Sequence, residues 1–197
     1  MALALLRPAS LPQPLPPPVL PDAQAIEDGD LVFRRGRDAV STLVLAHGGG
    51  RFSHVGVALR STTGVVVIHA IPPEGSHPGG VVEEPLEQFA ALALAADIAV
   101  FRLPGLGDGE RQRLRTYLQQ RRGTPFDAGL RMSEDDTLYC TELVLRALHA
   151  AGVPVPDDLP GVQAPLLAEP AIPPEALLGL PGLQAVTSPA GPPPPRP

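Results

Sequence analysis

The prolines of this 197-residue chain are concentrated at its two ends. Seven of the 27 lie in residues 1–25 and fourteen in residues 152–197, which leaves six for the 126 residues between them. Proline has no backbone N–H and disrupts both helices and sheet ladders, so the two ends are poor candidates for a regular core. We therefore expect one folded domain at residues 26–152, a proline-rich tail at 1–25, and a largely irregular C-terminal extension at 153–197.

The N-terminal end also bears on where the protein is located. The segment Leu11–Pro21 favours extended polyproline geometry and is expected to be solvated. Residues 23–25, Ala-Gln-Ala, resemble a signal-peptide cleavage site, but the apolar run Ala2–Leu6 is short and is followed by Arg7 and Pro8. As written, the chain therefore predicts a cytoplasmic protein, with the cell envelope or periplasm as the alternative if the N-terminal segment is a truncated signal. No apolar run approaches the length of a transmembrane segment.

Three compositional facts exclude whole classes of chemistry. A single cysteine allows no internal disulfide, no four-thiolate zinc site and no iron–sulfur cluster. All 15 basic residues are arginine, and the absence of lysine excludes a Walker-type phosphate loop and a lysine Schiff base. The formal net charge of -6 makes a nucleic acid partner unexpected, because phosphate backbones favour basic surfaces.

Hydrophobic periodicity and turn signals predict an α+β domain with an antiparallel sheet. The pattern predicts strands at Asp30–Arg34, His54–Arg60, Val65–Ala70, Val81–Glu83 and Asp97–Leu103. It predicts helices at Asp38–Ala46, after Pro85, at Asp108–Arg122 and at Asp136–Ala151. The arginines of the third of these helices are expected to form a solvated face.

The only cysteine, Cys140, is predicted to lie in the first turn of the last of these helices, with Asp136 or Thr137 as its N-cap. Free amide groups and the positive end of the helix dipole favour a thiolate at that place. The alternative is that Cys140 is a small core residue, since it shares one helical stripe with apolar side chains. The cysteine by itself does not decide between the two.

Two histidines on a predicted hairpin bear on that choice. If the loop between the two strands has an even number of residues, Gly56 faces His69 and His54 lies diagonally across from it, so both imidazoles share one face. A three-residue loop would place them on opposite faces. Two imidazoles are costly to bury on an apolar face without a purpose. A thiol, a base and a residue that orients the base are the parts that nucleophilic catalysis needs.

Three sequence blocks, in this order, resemble one protein family. They are Gly29-Asp30-Leu31-Val32-Phe33, Ser53-His54-Val55-Gly56 and Tyr139-Cys140-Thr141-Glu142-Leu143-Val144. Over residues 27–152 the chain resembles the permuted NlpC-type papain-like cysteine hydrolases, and within them the bacterial YiiX/YaeF-like proteins, which are distant relatives of lecithin retinol acyltransferase. The resemblance implies a circularly permuted papain-like fold, with an antiparallel sheet packed against the cysteine helix.

The resemblance also assigns roles. It implies Cys140 as nucleophile, His54 as base and His69 as the third member of the triad. Many YiiX-like members carry glutamate at the place of His69, and a histidine there is similar to the acyltransferase branch. An aromatic-Asp pair precedes the cysteine helix in the family, and here it is Phe126-Asp127.

Four further residues are candidates for binding or supporting the substrate: Ser53, Asp127, Tyr139 and Glu142. Glu142 has a structural alternative, because it complements the helix dipole and can pair with Arg146 four residues on. Asp127 also fits as the N-cap of a helix at residues 128–132. The hydroxyl of Tyr139 can face the substrate, or the residue can belong to the core.

The expected function is that of a thiol hydrolase of the amidase or peptidase type. It would act on amide or ester bonds through a thioester, with a peptide, peptidoglycan fragment or acyl-lipid as substrate and with neither metal nor organic cofactor. One alternative is an acyltransferase, and another is a non-catalytic peptide- or lipid-binding module on the same scaffold. A zinc site at His54, His69 and Cys140 is a third reading, but no H-E-x-x-H motif accompanies it.

Overall fold

The computed structural model describes residues 19–164 and 167–186, so most of the predicted proline-rich tail lies outside the described residues. Its strands are β1 (Leu31–Gly36), β2 (His54–Ser61), β3 (Gly64–Ile71), β4 (Gly80–Pro85), β5 (Ala95–Arg102) and β6 (Gln184–Ala185). Its α-helices are α1 (Ala39–Gly48), α2 (Leu86–Phe89), α3 (Asp108–Arg121) and α4 (Cys140–Ala151). The predicted α+β class is confirmed.

The six strands form one sheet in the order β4-β3-β2-β1-β5-β6, and each neighbouring pair is antiparallel. The β2–β3 hairpin turns through residues 62–63, a loop of two residues, and pairs Val57 with Ile68 and Ser61 with Gly64. A loop with an even number of residues is one of the two possibilities that the sequence allows, and it fixes the register of the hairpin. It places His54 and His69 on the same face of the sheet.

Alternation along the strands gives the sheet two apolar faces. Leu31, Val57 and Ile68 belong to the larger core, which α4 covers with its buried apolar side. Val32 and Val67 belong to a smaller core on the other face, which α2 covers. The sheet is therefore buried on both sides, and its His54–His69 face is the one that α2 covers.

Three arginines of α3 tie elements together, so the expected solvated face describes this helix only in part, and Arg113 is still half exposed. Arg115 bonds the carboxylate of Asp28 at 2.6 Å, and Arg111 donates to the backbone carbonyl of Asp28. Arg113 donates at 2.8 Å to the carbonyl of Ala151, the last residue of α4. These guanidinium groups satisfy loop and helix-end carbonyls that would otherwise lack partners.

The last helix begins later than predicted. α4 starts at Cys140 itself, and its N-cap is Tyr139 with extended backbone, so Asp136 and Thr137 are not the N-cap. The Glu142 carboxylate accepts a hydrogen bond from the Tyr139 amide at 3.3 Å and thereby satisfies the N-cap backbone. Cys140 still lies in the first turn, as the sequence indicates.

Residues beyond the predicted domain boundary pack against the sheet. A 3₁₀-helix at Pro174–Gly179 buries Leu177, and β6 extends the sheet at β5. The boundary at residue 152 itself stays a prediction. Over the described ranges, the structure has no helix with the length and apolar character needed to cross a membrane.

Candidate active site

Cys140 is the first residue of α4, and its sulfur lies near the start of β2. The thiol is partly buried and lies 3.9 Å from the Oγ1 atom of Thr141. Backbone groups of Val55, Thr141 and Cys140 itself act on the sulfur in the direction that lowers the pKa of the thiol. The helix start therefore surrounds the sulfur with donors, which is the environment that the position in the chain predicts.

His54 and His69 are hydrogen-bonded to each other through their rings. The Nε2 atom of His54 lies 2.8 Å from the Nδ1 atom of His69, and the two rings are nearly perpendicular, at 76°. Both side chains are almost fully buried, with relative exposures of 7% and 1%. The diagonal placement inferred from the hairpin thus becomes a direct contact in the folded protein.

A fourth residue, Glu84 on β4, continues this chain of contacts. Its Oε2 atom lies 3.2 Å from the Nε2 atom of His69, and its Oε1 atom accepts a hydrogen bond from the Gln88 side chain at 3.2 Å. Glu84 is not among the residues predicted from the sequence, because the predicted strand ends one residue earlier, at Glu83. Strand alternation from Val82, which pairs with His69, would have placed Glu84 on the histidine face.

The ring of Phe89 closes the histidine pair from the side of α2. It stacks on His54 at a centroid distance of 5.7 Å and meets His69 edge-on at 4.9 Å. The guanidinium of Arg34 lies 4.5 Å from the centre of the same ring and donates to the Phe89 carbonyl at 3.1 Å. Phe89, which is fully buried, therefore keeps water from this side of the imidazoles.

Burial keeps both imidazoles neutral at neutral pH. Desolvation holds the pKa of His54 well below its usual value, and the nearby charge of Arg34 adds to the effect. Desolvation also lowers the pKa of His69, although the contact with Glu84 opposes the shift. The pKa of Glu84 is lowered, first by its hydrogen bond with His69, so this carboxylate is ionised.

The thiol is neutral as well. Desolvation raises the pKa of Cys140, and the hydrogen bonds from Thr141 and from backbone groups only partly oppose this rise. The helix start favours the thiolate, as its position in the chain predicts, but desolvation outweighs that effect in the free protein. No hydrogen bond joins the Cys140 thiol to His54, although both residues line the same cavity. Such contacts are often long before substrate binds.

Of the predicted supporting residues, Ser53 and Asp127 hold the backbone around the site. The Ser53 hydroxyl accepts from the Gly36 amide at 2.9 Å and fixes the chain just before His54. The buried carboxylate of Asp127 accepts from the amides of Gly129, at 2.8 Å, and of Arg131. Residues 128–132 form a turn and not the expected helix, so Asp127 caps a loop that borders the cavity.

Tyr139 and Glu142 are buried and structural in their contacts. The Tyr139 hydroxyl accepts a hydrogen bond from the Ile172 amide at 3.2 Å, which ties the C-terminal segment to the start of α4. Glu142 pairs with Arg146 at 2.8 Å, as its spacing predicts. Desolvation raises the pKa of Glu142 to about 7, and Arg146 opposes that rise.

A cavity of about 560 Å³ opens above Cys140 and His54, and its walls are largely apolar. One wall is the face of α1 that carries Val40, Leu43, Val44 and His47, a stripe with helical spacing. Another wall belongs to the C-terminal segment. Its apolar side chains, together with those of the loop before α4, are Phe126, Leu130, Val162, Leu167, Ala171 and Ile172.

The fold and the site together define a class of protein. A cysteine at the first residue of a helix that packs on an antiparallel sheet, with the histidine strand earlier in the chain, is a papain-like arrangement in permuted order. The chain belongs to the C92 family of permuted papain-like amidases, YaeF/YiiX, whose family model matches residues 25–160. The resemblance seen in the three sequence blocks is thereby confirmed, and the protein is of the amidase type.

A solved structure agrees with this assignment. The chain is similar to the crystal structure of the metalloprotein YiiX from Escherichia coli O157:H7, with 24% sequence identity and a TM-score of 0.67. The likeness covers 84% of this chain and 98% of that one, and it shows the shared fold. A comparison with curated proteins gave no match.

YiiX is described as a metalloprotein, which raises the question of a metal here. Within residues 19–164 and 167–186, no three side chains of histidine, cysteine, aspartate or glutamate lie close enough to hold a metal ion together. The zinc reading of His54, His69 and Cys140 therefore has no support in the geometry.

Proposed function

We propose that the protein is a cysteine amidase that cleaves an acyl group from an amide or ester through a thioester on Cys140. The observation that carries this proposal is that Cys140 and His54 line one apolar cavity and that His54 is hydrogen-bonded to the buried His69. In this proposal His54 is the base, and His69 orients it.

The reaction begins with the neutral thiol. The sulfur of Cys140 attacks the acyl carbonyl carbon while the thiol proton passes to His54, and the carbonyl oxygen takes the negative charge. The backbone amide of Cys140 meets this oxygen at the helix start. The C–N or C–O bond then breaks, the imidazolium of His54 gives its proton to the leaving group, and a thioester remains. Water attacks the thioester, its proton goes to His54, and the acid leaves as the thiol is restored.

Both the Cys140 thiol and the His54 imidazole are neutral, which fits a reaction that begins with the neutral thiol. The pKa of His54 is lowered and that of the thiol is raised, so a preformed thiolate–imidazolium pair is disfavoured in the free protein. Proton transfer that accompanies attack avoids that charged pair in the ground state. The mechanism is then general-base catalysis, in which the thiol reacts as it loses its proton.

The walls of the cavity support an apolar acyl group as the part of the substrate that is recognised. A charged peptidoglycan stem peptide would lose water against Val40, Leu43 and Ile172 without gaining ionic partners there. An alkyl chain gains free energy from the same burial, about 0.8 kcal/mol for each CH₂ group removed from water. We therefore place acyl amides and acyl esters ahead of cell-wall peptides.

The experiment compares two amides on the purified full chain, N-acetyl and N-octanoyl p-nitroanilide. We expect hydrolysis of the octanoyl compound with a kcat/KM at least about 10-fold higher, because several more CH₂ groups are buried. Cys140→Ala should abolish turnover. His54→Ala should lower kcat by about 100-fold or more, whereas the same substitution at His149, an exposed residue of α4, should change nothing.

Product analysis separates hydrolysis from the other functions. Octanoate as the only acyl product supports the hydrolase. Octanoyl transfer to added lysophospholipid or amine, at the expense of octanoate, would replace the hydrolase with an acyltransferase. Binding of the octanoyl compound without turnover, or turnover that survives in Cys140→Ala, would contradict the proposal.

A further inference from the structure

The hydrogen bond between His54 and His69 can run in either of two directions. A neutral imidazole carries one proton, on Nδ1 or on Nε2, so either ring can donate across the 2.8 Å contact. In one direction, His54 has its proton on Nε2 and a bare Nδ1. In the other direction, His54 accepts at Nε2, so its proton lies on Nδ1. Only the first direction leaves a lone pair of His54 free to take a proton from a thiol.

Glu84 distinguishes these two directions. An ionised carboxylate can only accept hydrogen bonds, so the contact of Glu84 with His69 Nε2, at 3.2 Å, requires the proton to be on that nitrogen. The Nδ1 atom of His69 is then bare and accepts from His54. The reverse direction would set a lone pair of His69 against a carboxylate oxygen, which is unfavourable in a buried site.

The surroundings hold Glu84 in this role. Its side chain is 19% exposed, and its second oxygen is held by the Gln88 amide at 3.2 Å, one turn along the chain in α2. Arg34, which lies over the Phe89 ring, is a nearby cation and favours the ionised carboxylate. Phe89 packs on both imidazoles and restricts the rotation that would exchange their ring nitrogens.

We propose that Glu84 is a positioning residue that fixes the tautomers of His69 and His54, so that His54 presents a bare Nδ1 to the thiol of Cys140. The effect of Glu84 on catalysis rests on the proposed function, because it presupposes that His54 takes the proton of Cys140. Glu84 then becomes a fourth member behind Cys140, His54 and His69. Glu84 touches neither the thiol nor the cavity lining and acts only through His69.

The test reads the tautomers directly. Long-range ¹H–¹⁵N NMR spectra of the resting full chain, labelled at histidine, should show the Nε2–H tautomer for both His54 and His69. In Glu84→Gln the new amide can donate as well as accept, so His54 should become a mixture of both tautomers. The kcat for N-octanoyl p-nitroanilide should fall about 10- to 100-fold with little change in KM.

The matched control is Glu83→Gln. Glu83 is the preceding residue on β4, loses the same charge, and lies on the other side of the strand with Arg122 as its partner at 3.4 Å. It should leave both the spectrum and kcat unchanged. Thermal unfolding of both variants checks that each is folded.

The inference is wrong if His54 carries its proton on Nδ1 in the unsubstituted protein. It is also wrong if His54 keeps a single Nε2–H tautomer in Glu84→Gln, whether or not kcat falls. The spectra are recorded without substrate, so they judge Glu84 even if Cys140→Ala retains turnover. Turnover that survives in Cys140→Ala would overturn the proposed function but would leave the tautomer assignment standing.

Discussion

Gly56 lies directly against His69: a methyl group on its α-carbon would come within 2.9 Å of the Cβ atom of His69. The methyl group would also come within 2.5 Å of the Cγ1 atom of Val67, which lies on β3 with His69. Cβ atoms essentially never approach other atoms this closely, so the space next to the histidine pair depends on glycine. The SHVG block thus contains both the proposed base and the residue that makes room for its partner.

We therefore expect Gly56→Ala to displace His69. The variant should lose about 1 to 3 kcal/mol of unfolding free energy in urea, because an extra methyl group overpacks this face. Its amidase kcat should fall as well, because the His54–His69 contact is disturbed. Gly179→Ala is the matched control, since nothing lies within 4 Å of the added methyl group there. Equal effects in the two variants would contradict this explanation.

The thiol should react as a neutral thiol does. Since burial raises the pKa of Cys140, its alkylation by iodoacetamide should accelerate with pH and show its midpoint above the ordinary value of about 8.5. The chain has one cysteine, so the mass of the intact protein reports on this residue alone. A midpoint below pH 7 would reveal a preformed thiolate–imidazolium pair and would exclude the general-base order of events.

Stability should fall as the solution becomes acidic, beginning near neutrality. The folded-state pKa values of His54 and His69 lie below the unfolded value of 6.5, so below that pH the unfolded chain binds more protons. The free energy of unfolding should be about 1 to 3 kcal/mol lower at pH 5.5 than at pH 7.5. Glu84, whose pKa is lowered, adds a loss in the same direction only below its unfolded value of 4.5.

Urea denaturation at the two pH values measures this loss. His54→Asn removes one of the two titrating rings and should reduce the difference between the two pH values by about half. His77→Asn, at an exposed position, serves as the control. A free energy of unfolding that does not change between pH 7.5 and 5.5 would contradict the burial of neutral imidazoles.

Glu175 connects the C-terminal segment to the strand that carries the proposed base. Its Oε2 atom accepts from the amides of Arg51 and Phe52, at 2.8 and 3.0 Å, just before His54. Glu175→Ala should lower the unfolding free energy by about 1.5 to 3 kcal/mol, the range for hydrogen bonds to a charged group. It should also lower kcat.

The control for this variant is Glu169→Ala. Glu169 accepts from the backbone and side chain of Ser133, at 3.1 and 3.3 Å, in the same segment of chain but away from β2. The Glu169→Ala variant should have a lower free energy of unfolding and an unchanged kcat. If Glu175→Ala were as active as the unsubstituted protein, the C-terminal segment would have no part in holding the histidine strand.

Asp30, in the GDLVF block, should be a residue of the fold and not of the reaction. Its buried carboxylate receives two hydrogen bonds from Arg102, both at 2.7 Å, and bonds the Glu27 amide at 2.8 Å. Asp30→Asn should lower the unfolding free energy by about 1.5 to 3 kcal/mol, because the hydrogen bonds from Arg102 lose their charged acceptor while Glu27 remains as the second carboxylate partner of that cation. The folded fraction should keep an unchanged kcat per alkylatable thiol, and a selective loss of kcat would assign Asp30 to the site.

The sequence by itself determined the main strands and helices and the place of Cys140 at a helix start, and it narrowed the hairpin to two registers. These features depend on neighbours in the chain. Alternation separates the faces of a strand, and a two-residue loop between Ser61 and Gly64 sets the pairing that brings His54 towards His69. The three sequence blocks also carried the family, because the order of histidine strand and cysteine helix is visible in the chain.

Only the tertiary structure decided the electrostatics and the walls of the site. The helix start favours a thiolate at Cys140, yet packing against β2 removes water from the sulfur, and this desolvation outweighs the helix. Glu84 contacts His69 from β4, which extends past its predicted end at Glu83. Ile172 lines the cavity although it lies far from Cys140 in the sequence. Desolvation and contacts between distant segments depend on how the elements pack, which local sequence patterns do not encode.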